Sequence, residues 1–148
     1  MKLLVINGPN MQLLGRRKAE FYGTKTLPEI EADLRAVADS LGVTVEFFQS
    51  NHEGAICDRI ADAITGGVDG IVINPAAYTH TSIAILDALK AVQIPAVEVH
   101  ISDVAARETF RRISYAGMAC VRTYKGLGFD GYREAILFLK DYLSGKTE

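Results

Sequence analysis

Several features that would assign this chain to a broad class of protein are missing from its sequence. Lys and Arg are spread along a chain of formal net charge −2, so no basic run indicates nucleic-acid binding. No apolar stretch approaches the ~20 residues that a transmembrane helix needs, and Met1 opens directly into a strand-like run rather than a signal peptide. We therefore expect a soluble, cytoplasmic protein with neither a nucleic-acid nor a membrane partner.

Cysteine is also scarce, because Cys57 and Cys120 are the only two in 148 residues. Both lie in segments with apolar periodicity, far apart in sequence, which favours two buried reduced thiols over a disulfide or a metal-binding pair. Repeats, low-complexity segments and an interdomain linker are missing as well. The length therefore predicts a single domain, 1–148, large enough to bury a substantial core.

Short apolar runs rich in branched residues alternate with segments of helical periodicity. The runs predict strands at 2–6, 43–49, 70–73, 94–100 and 117–122. The periodic segments predict helices at about 27–41, 53–64, 82–91, 104–113 and 132–143. This alternation predicts an α/β fold, a flavodoxin-like three-layer sandwich whose five-stranded parallel sheet has the order 2-1-3-4-5.

Polar residues gather where the predicted strands end. Sheets of this kind bind ligands beyond the carboxyl ends of their strands, and all three histidines, His52, His80 and His100, fall there. His100 is the best candidate for a general acid, because Glu98 lies two residues earlier on the same strand and both side chains point to one face. For each histidine taken alone, an ordinary loop position is the alternative.

Two other kinds of site fit the sequence poorly. A zinc site lacks ligand spacing, because neither a His-x-x-x-His pattern nor a cysteine pair is present. The loop from Asn7 to Gly23 matches neither glycine-rich phosphate-binding pattern. It does carry Arg16, Arg17 and Tyr22, and an arginine close to a tyrosine could stabilise a phenolate base. A tyrosine beside a loop glycine could equally be a surface anchor.

Several longer sequence motifs are more specific than these single residues. They are INGPN at 6–10, LGRR at 14–17 followed by Tyr22-Gly23, FQSNHEG at 48–54, INPAAYTHTS at 73–82, EVHIS at 98–102 and ARETFRRIS at 106–114. In this order, over nearly the whole chain, they resemble the type II 3-dehydroquinate dehydratases (type II dehydroquinases) of the shikimate and quinate pathways. The resemblance implies a lyase that removes water from 3-dehydroquinate by trans elimination through an enolate. It also implies a flavodoxin-like fold, no cofactor, no metal and a dodecamer of four trimers.

The resemblance implies roles for individual residues too. Tyr22 would be the base that takes the C2 proton, Arg17 would keep it ionised, and Asn10 would stabilise the enolate through an ordered water. His100, oriented by Glu98, would protonate the departing C1 hydroxyl. The implied substrate-binding residues are Asn74, His80, Asp87, Ile101, Ser102 and Arg111, of which Asp87 would reach the site of a neighbouring subunit.

The chain departs from the family's usual pattern at several positions. Asp103 replaces an asparagine, and its negative charge is expected to weaken the binding of a substrate carboxylate. Changes within the segment 8–24, the expected active-site lid, are expected to alter its stiffness. The remaining departures are Met11-Gln12, Lys18-Ala19, Leu86, Ala105 and Ile113, with Leu86 expected to affect subunit contacts. These changes leave an alternative open, a divergent member that binds a cyclic hydroxy acid without turnover or acts on a related substrate.

Overall fold

A parallel five-stranded sheet forms the centre of the computed structural model, which describes residues 1–145. Its strands are β1 (Lys2–Asn7), β2 (Thr44–Gln49), β3 (Gly70–Asn74), β4 (Ala96–His100) and β5 (Arg122–Lys125). Their order is β2-β1-β3-β4-β5, and every paired neighbour runs parallel. The predicted fold class and strand order are confirmed.

The α-helices are α1 (Ala19–Tyr22), α2 (Leu27–Leu41), α3 (Glu53–Thr65), α4 (Ile83–Val92) and α5 (Asp130–Leu143). The first four lie in the connections between β1 and β4, and α5 follows β5. At the start of α2, the Thr26 hydroxyl accepts a hydrogen bond from the Glu29 amide at 3.4 Å, and Gly42 ends the helix with a φ of +69°. Within residues 1–145, none of the helices is long and apolar enough to cross a membrane.

Successive residues of the sheet pack into two apolar cores, one on each face. Leu3 and Val5 of β1 belong to the core that α2 and α5 cover, whereas Leu4 and Ile6 belong to the core that α3 and α4 cover. This alternation follows from the two-residue period of a strand, and burial on both faces explains the continuous apolar runs. Sheet and helices therefore make three layers.

The predicted helix at 104–113 is wrong. The segment forms two short 3₁₀ turns, Val104–Ala106 and Thr109–Arg111, instead. Its large apolar side chains are not buried, since Phe110 and Ile113 are 65 % and 54 % exposed. A helix there would have no buried apolar stripe, and most helical stability in proteins comes from such packing.

The predicted bounds of the fifth strand are also wrong, because the strand starts at Arg122 and the apolar run before it forms a 3₁₀ turn, Ala116–Ala119. Ala116 is fully buried in the core beneath α3 and α4, so the apolar run reflects packing of the turn. β5 lies at the sheet edge and pairs only with β4, which explains its polar sequence.

Both cysteines are free thiols, as predicted, but they are half-buried rather than fully buried. Cys57 and Cys120 pack beside the core that α3 and α4 cover. Burial raises the pKa of the Cys120 thiol to about 12, so this group stays protonated at neutral pH.

The topological switch between β1 and β3 brings two loops close together. The Gly8 amide donates a hydrogen bond to the Asn74 carbonyl oxygen at 2.8 Å. A Cβ atom at position 8 would lie 2.3 Å from the Pro75 carbonyl oxygen, so this approach requires glycine. The segment 8–24 consequently begins directly beside the chain that follows β3.

Candidate active site

A cavity lies beyond the carboxyl ends of β1, β3 and β4, where a sheet of this topology places its ligand. Three parts of the chain line it, the segment 8–24, the turn after β3 and the segment after β4. The cavity brings together most of the residues that the sequence indicated, which are Asn10, Arg17, Tyr22, Asn74, His80, His100, Ile101, Ser102 and Arg111.

The hydroxyl of Tyr22 lies between two guanidinium groups. Arg17 Nη2 donates a hydrogen bond to it at 2.9 Å and Arg107 Nη1 donates another at 2.8 Å. The Arg17 guanidinium carbon also lies 3.8 Å from the centre of the Tyr22 ring. Two charged donors therefore point at one phenolic oxygen, which places it in a positive electrostatic environment.

Arg107 is a site residue that the sequence did not reveal. It lies 85 positions from Tyr22, in the segment after β4, and also approaches the Phe21 ring at 4.5 Å. The available signal was a group of three arginines, Arg107, Arg111 and Arg112, soon after a strand end. Packing decides between them, because Arg107 and Arg111 line the cavity while Arg112 lines a cleft behind β4.

The start of the segment 8–24 is anchored by the end of β2. The Gln49 amide donates to the Gly8 carbonyl oxygen at 3.1 Å and to Gln12 Oε1 at 3.0 Å. The Asn10 backbone amide donates to Asn51 Oδ1 at 3.0 Å. Asn10 adopts a φ of +68°, a conformation that asparagine tolerates better than most residues. These contacts hold Asn10 at the cavity wall.

His100 and Glu98 form a buried pair on β4. They are 4 % and 2 % exposed, and His100 Nε2 lies 3.3 Å from Glu98 Oε1. Burial raises the pKa of Glu98, but hydrogen bonding and charge from His100, with the Ser114 and Thr123 hydroxyls, outweigh burial and lower it below its ordinary value. Glu98 is consequently a carboxylate beside His100.

Hydrogen bonds fix the orientation of the Asn74 and His80 side chains. Asn74 Nδ2 donates to the Tyr132 hydroxyl at 2.9 Å while Asn74 Oδ1 accepts from the Ala76 amide at 3.1 Å, which fixes the orientation of the side-chain amide. His80 Nδ1 lies 2.7 Å from the Ile113 carbonyl oxygen. A carbonyl only accepts, so Nδ1 carries a proton and the Nε2 of neutral His80 is an acceptor.

The loop after β5 holds the backbone of Ile101 and Ser102 in place. Their carbonyl oxygens accept hydrogen bonds from the Gly128 amide at 3.0 Å and the Gly126 amide at 3.2 Å. Both glycines have positive φ, +59° for Gly128 and +77° for Gly126, which explains the Gly-Leu-Gly sequence after β5. Arg111 is held as well, by an ion pair of its Nε with Glu108 Oε2 at 2.7 Å.

Other residues indicated by the sequence lie elsewhere. Asp87 is exposed on α4 and does not line the cavity of its own chain, and His52 is exposed at the start of α3. Asp103 borders a cleft beside α1, where its side chain accepts from the Ala105 amide at 3.2 Å. Leu86 is buried within the chain.

The fold and the cavity together define a class of protein. Among residues 1–145, no group of three or more His, Cys, Asp or Glu side chains could hold a metal ion. The cavity holds three arginines, Arg17, Arg107 and Arg111, and suits an anionic ligand. Tyr22 and His100 line the cavity from different elements. This is an α/β protein with an arginine-lined cavity at the carboxyl ends of its strands.

Comparison with known proteins identifies the family of this chain. The chain belongs to the family described as dehydroquinase class II, whose profile matches residues 1–140. It is 57 % identical over 134 residues to a catabolic 3-dehydroquinase from Aspergillus clavatus, covering 90 % of this chain and 89 % of that protein. It is 51 % identical over 136 residues to a 3-dehydroquinate dehydratase from Bordetella avium, covering 92 % and 94 %. The crystal structure of type II dehydroquinase from Butyrivibrio crossotus superposes with a TM-score of 0.93 at 48 % identity, covering 95 % and 97 %.

Proposed function

We propose that this protein is a hydro-lyase that removes water from 3-dehydroquinate to give 3-dehydroshikimate in the shikimate or quinate pathway. The names of its relatives support this substrate. The observation that carries the proposal is the Tyr22 hydroxyl, which accepts hydrogen bonds from Arg17 and Arg107 in the cavity that also holds His100. The alternative, a family member that binds its ligand without turnover, gains no support from these relatives.

The reaction is a trans elimination through an enolate. Tyr22 takes the proton from C2, and the electrons of that bond form the enolate, which Asn10 stabilises through an ordered water. The enolate then collapses to a C1–C2 double bond as the C1–O bond breaks. His100, held by Glu98, gives its proton to the departing hydroxyl, which leaves as water. Base and acid act at opposite sides of the substrate, which matches their origin on different elements.

Substrate binding uses the remaining residues of the cavity. The substrate carboxylate binds the backbone of Ile101 and the hydroxyl of Ser102, within the positive field of the three arginines. Substrate hydroxyls bind the remaining acceptor of His80, the amide of Asn74 and the guanidinium of Arg111. The defined orientation of the His80 and Asn74 side chains supports these roles.

The segment 8–24 is proposed to be a lid that closes over the substrate. Within it, Tyr22 is held by charged contacts with Arg107 rather than by deep burial, and the other residues of α1 are exposed or half-buried. Such contacts are broken and remade more easily than apolar packing. Closure would exclude water from the substrate and keep Tyr22 against Arg17 and Arg107.

We further propose a homo-oligomer, the dodecamer of four trimers, in the cytoplasm, with the whole of 1–148 acting as one domain. Large apolar side chains are exposed on the segment 110–121, namely Phe110, Ile113, Met118 and Val121, and a surface of this kind is suited to a partner subunit. Asp87, exposed on α4, would reach a neighbouring subunit's cavity. Two free thiols are typical of a reducing compartment.

A direct assay tests the proposed activity. Purified protein is mixed with 3-dehydroquinate, and the ultraviolet absorbance of the conjugated enone product is followed at several pH values. We expect turnover without any added cofactor or metal. Absence of product at every pH, with binding still seen by calorimetry, would replace the enzyme with the non-catalytic alternative. Light scattering of the same sample tests the dodecamer.

A further inference from the structure

Glu98 is enclosed by three residues that the proposed chemistry does not use. The Thr123 hydroxyl donates to Glu98 Oε1 at 3.2 Å, and the Ser114 hydroxyl donates to Oε2. The Gly117 amide donates to Ser114 Oγ at 2.9 Å. Because Ser114 Oγ already accepts from this amide, its own hydrogen remains available for the carboxylate. We refer to Ser114, Gly117 and Thr123 as the carboxylate cradle.

Gly117 belongs to the cradle because of its size. A Cβ atom at this position would lie 3.0 and 3.2 Å from the two carboxylate oxygens of Glu98 and 2.9 Å from Ser114 Oγ. Any side chain would push Glu98 or Ser114 out of place. Glycine therefore permits the turn Ala116–Ala119 to pass directly beside the carboxylate.

None of the three cradle residues lines the proposed substrate cavity. A second cleft is lined by Glu98, His100, Ser114, Gly117, Thr123, Arg112 and Lys125, and it shares His100 and Arg111 with that cavity. The oxygen that Thr123 binds, Oε1, is the same oxygen that lies 3.3 Å from His100 Nε2. A change at Thr123 therefore reaches His100 through one atom, and Thr123 itself does not line the substrate cavity.

We propose that Ser114, Gly117 and Thr123 are positioning residues that keep Glu98 ionised and directed at His100, so that His100 can act as the general acid. The proposal rests on the proposed function and deepens it. A protonated Glu98 would carry no charge to stabilise the imidazolium form, and a rotated one would not reach Nε2. Donors to both oxygens oppose protonation and rotation.

The effect of pH follows from the direction of the Glu98 pKa. The pKa lies below its ordinary value, so the charge of Glu98 persists as pH falls and is lost only in the acid range. Removal of one donor moves the pKa upward, and the acid limb of kcat moves to higher pH with it. Other charged or titratable groups share a cavity or cleft with the pair or lie near Glu98, namely Arg17, Tyr22, His80, Arg107, Arg111, Arg112, Cys120 and Lys125.

The first test compares two substitutions at one position. Thr123→Val keeps the shape of the side chain but removes the donor. Glu98 is still ionised at neutral pH, so the effect there comes from lost alignment of the carboxylate with His100, and we expect kcat to fall about tenfold, with KM changed less than about threefold. Thr123→Ser keeps the hydroxyl and should restore most of the rate. Thr44→Val, at an exposed threonine that starts β2, is the matched control and should leave kcat unchanged.

The second test does not depend on turnover. The ¹³C resonance of the Glu98 carboxyl is titrated in the wild-type protein and in Thr123→Val, and we expect the midpoint in the variant to be higher by about one pH unit. If the wild-type protein fails to convert 3-dehydroquinate, the proposed function fails, while this titration still decides whether the cradle keeps Glu98 ionised.

Two results would overturn the proposal. One is an unchanged carboxyl titration and an unchanged kcat in Thr123→Val and in Ser114→Ala. The other is an equal loss of rate in Thr123→Val and Thr123→Ser, because that would indicate steric damage rather than loss of a donor. Circular dichroism of each variant confirms that it is folded before the comparison is made.

Discussion

The proposed base, Tyr22, and the proposed acid, His100, are held in place by different kinds of structure. Tyr22 belongs to a four-residue helix in a loop segment, is half-buried, and is held by Arg17 and Arg107. His100 belongs to a central strand, is 4 % exposed, and is supported by the buried carboxylate of Glu98. One half of the proposed machinery depends on the positive charge of two arginines and the other on a buried, hydrogen-bonded carboxylate.

If the segment 8–24 is a lid as proposed, this difference would let one site combine motion with fixed geometry. A base on a lid can close over the substrate and exclude water from it. An acid on a strand keeps its alignment throughout the cycle, because neighbouring strands and the turn Ala116–Ala119 hold its partner. Substitutions on the two sides should therefore fail in different ways.

The largest expected effect is at the base. Tyr22→Phe removes the oxygen that both arginines bind, and we expect kcat to fall about 10⁴-fold while substrate still binds. Steady-state kinetics and calorimetry measure the two quantities. Tyr142→Phe, on α5 outside the cavity, is the control and should behave as the wild type. A near-normal rate in Tyr22→Phe would remove this residue from the base role.

The acid should show a somewhat smaller loss. His100→Asn preserves polarity but cannot deliver a proton, and we expect kcat to fall about 10³-fold. The matched control is His52→Asn, because His52 is exposed and outside the cavity. If both variants lost the same small factor, His100 would have no special role and the contrast between the two halves would disappear.

Arg107 tests whether the base depends on charge from the other side of the cavity. Arg107→Gln leaves Arg17 in place but removes one charged donor from Tyr22, and we expect kcat to fall about 10²-fold. The exposed Arg133→Gln serves as the control. A rate in Arg107→Gln equal to that of the control would contradict the proposed role of Arg107.

The smallest effect is expected at Asp103. Its carboxylate accepts from the Ala105 amide and borders the cleft beside α1 rather than the substrate cavity. We therefore expect Asp103→Asn to lower KM less than about threefold, since the repulsion of a substrate carboxylate is screened at that distance. Measurement of KM at low and high ionic strength checks this. A tenfold drop in the KM of Asp103→Asn at low ionic strength would instead show that the Asp103 charge acts directly on the bound substrate.

Local pattern predicted the elements that bury a continuous apolar face. The runs that became β1 and β3 are fully buried, and the Thr26 cap and Gly42 mark the ends of α2 in sequence and in structure. The pattern misled at 104–113, because apolar residues there remain on the surface of the chain. It also placed the fifth strand too early, because a buried turn and a buried strand have similar composition.

The sequence by itself determined the fold class and the placing of Glu98 and His100 on one face of a strand, because these depend on residue periodicity. The strand order was predicted from the alternation of five strands with helices, and the pairing of the strands confirmed it. Only the tertiary structure decided which arginine reaches Tyr22, since Arg107 arrives from 85 positions away. The same holds for the carboxylate cradle, in which Ser114 and Thr123 reach Glu98 from separate elements. Contacts between distant segments depend on how the layers pack, and no local sequence pattern encodes which distant residues meet.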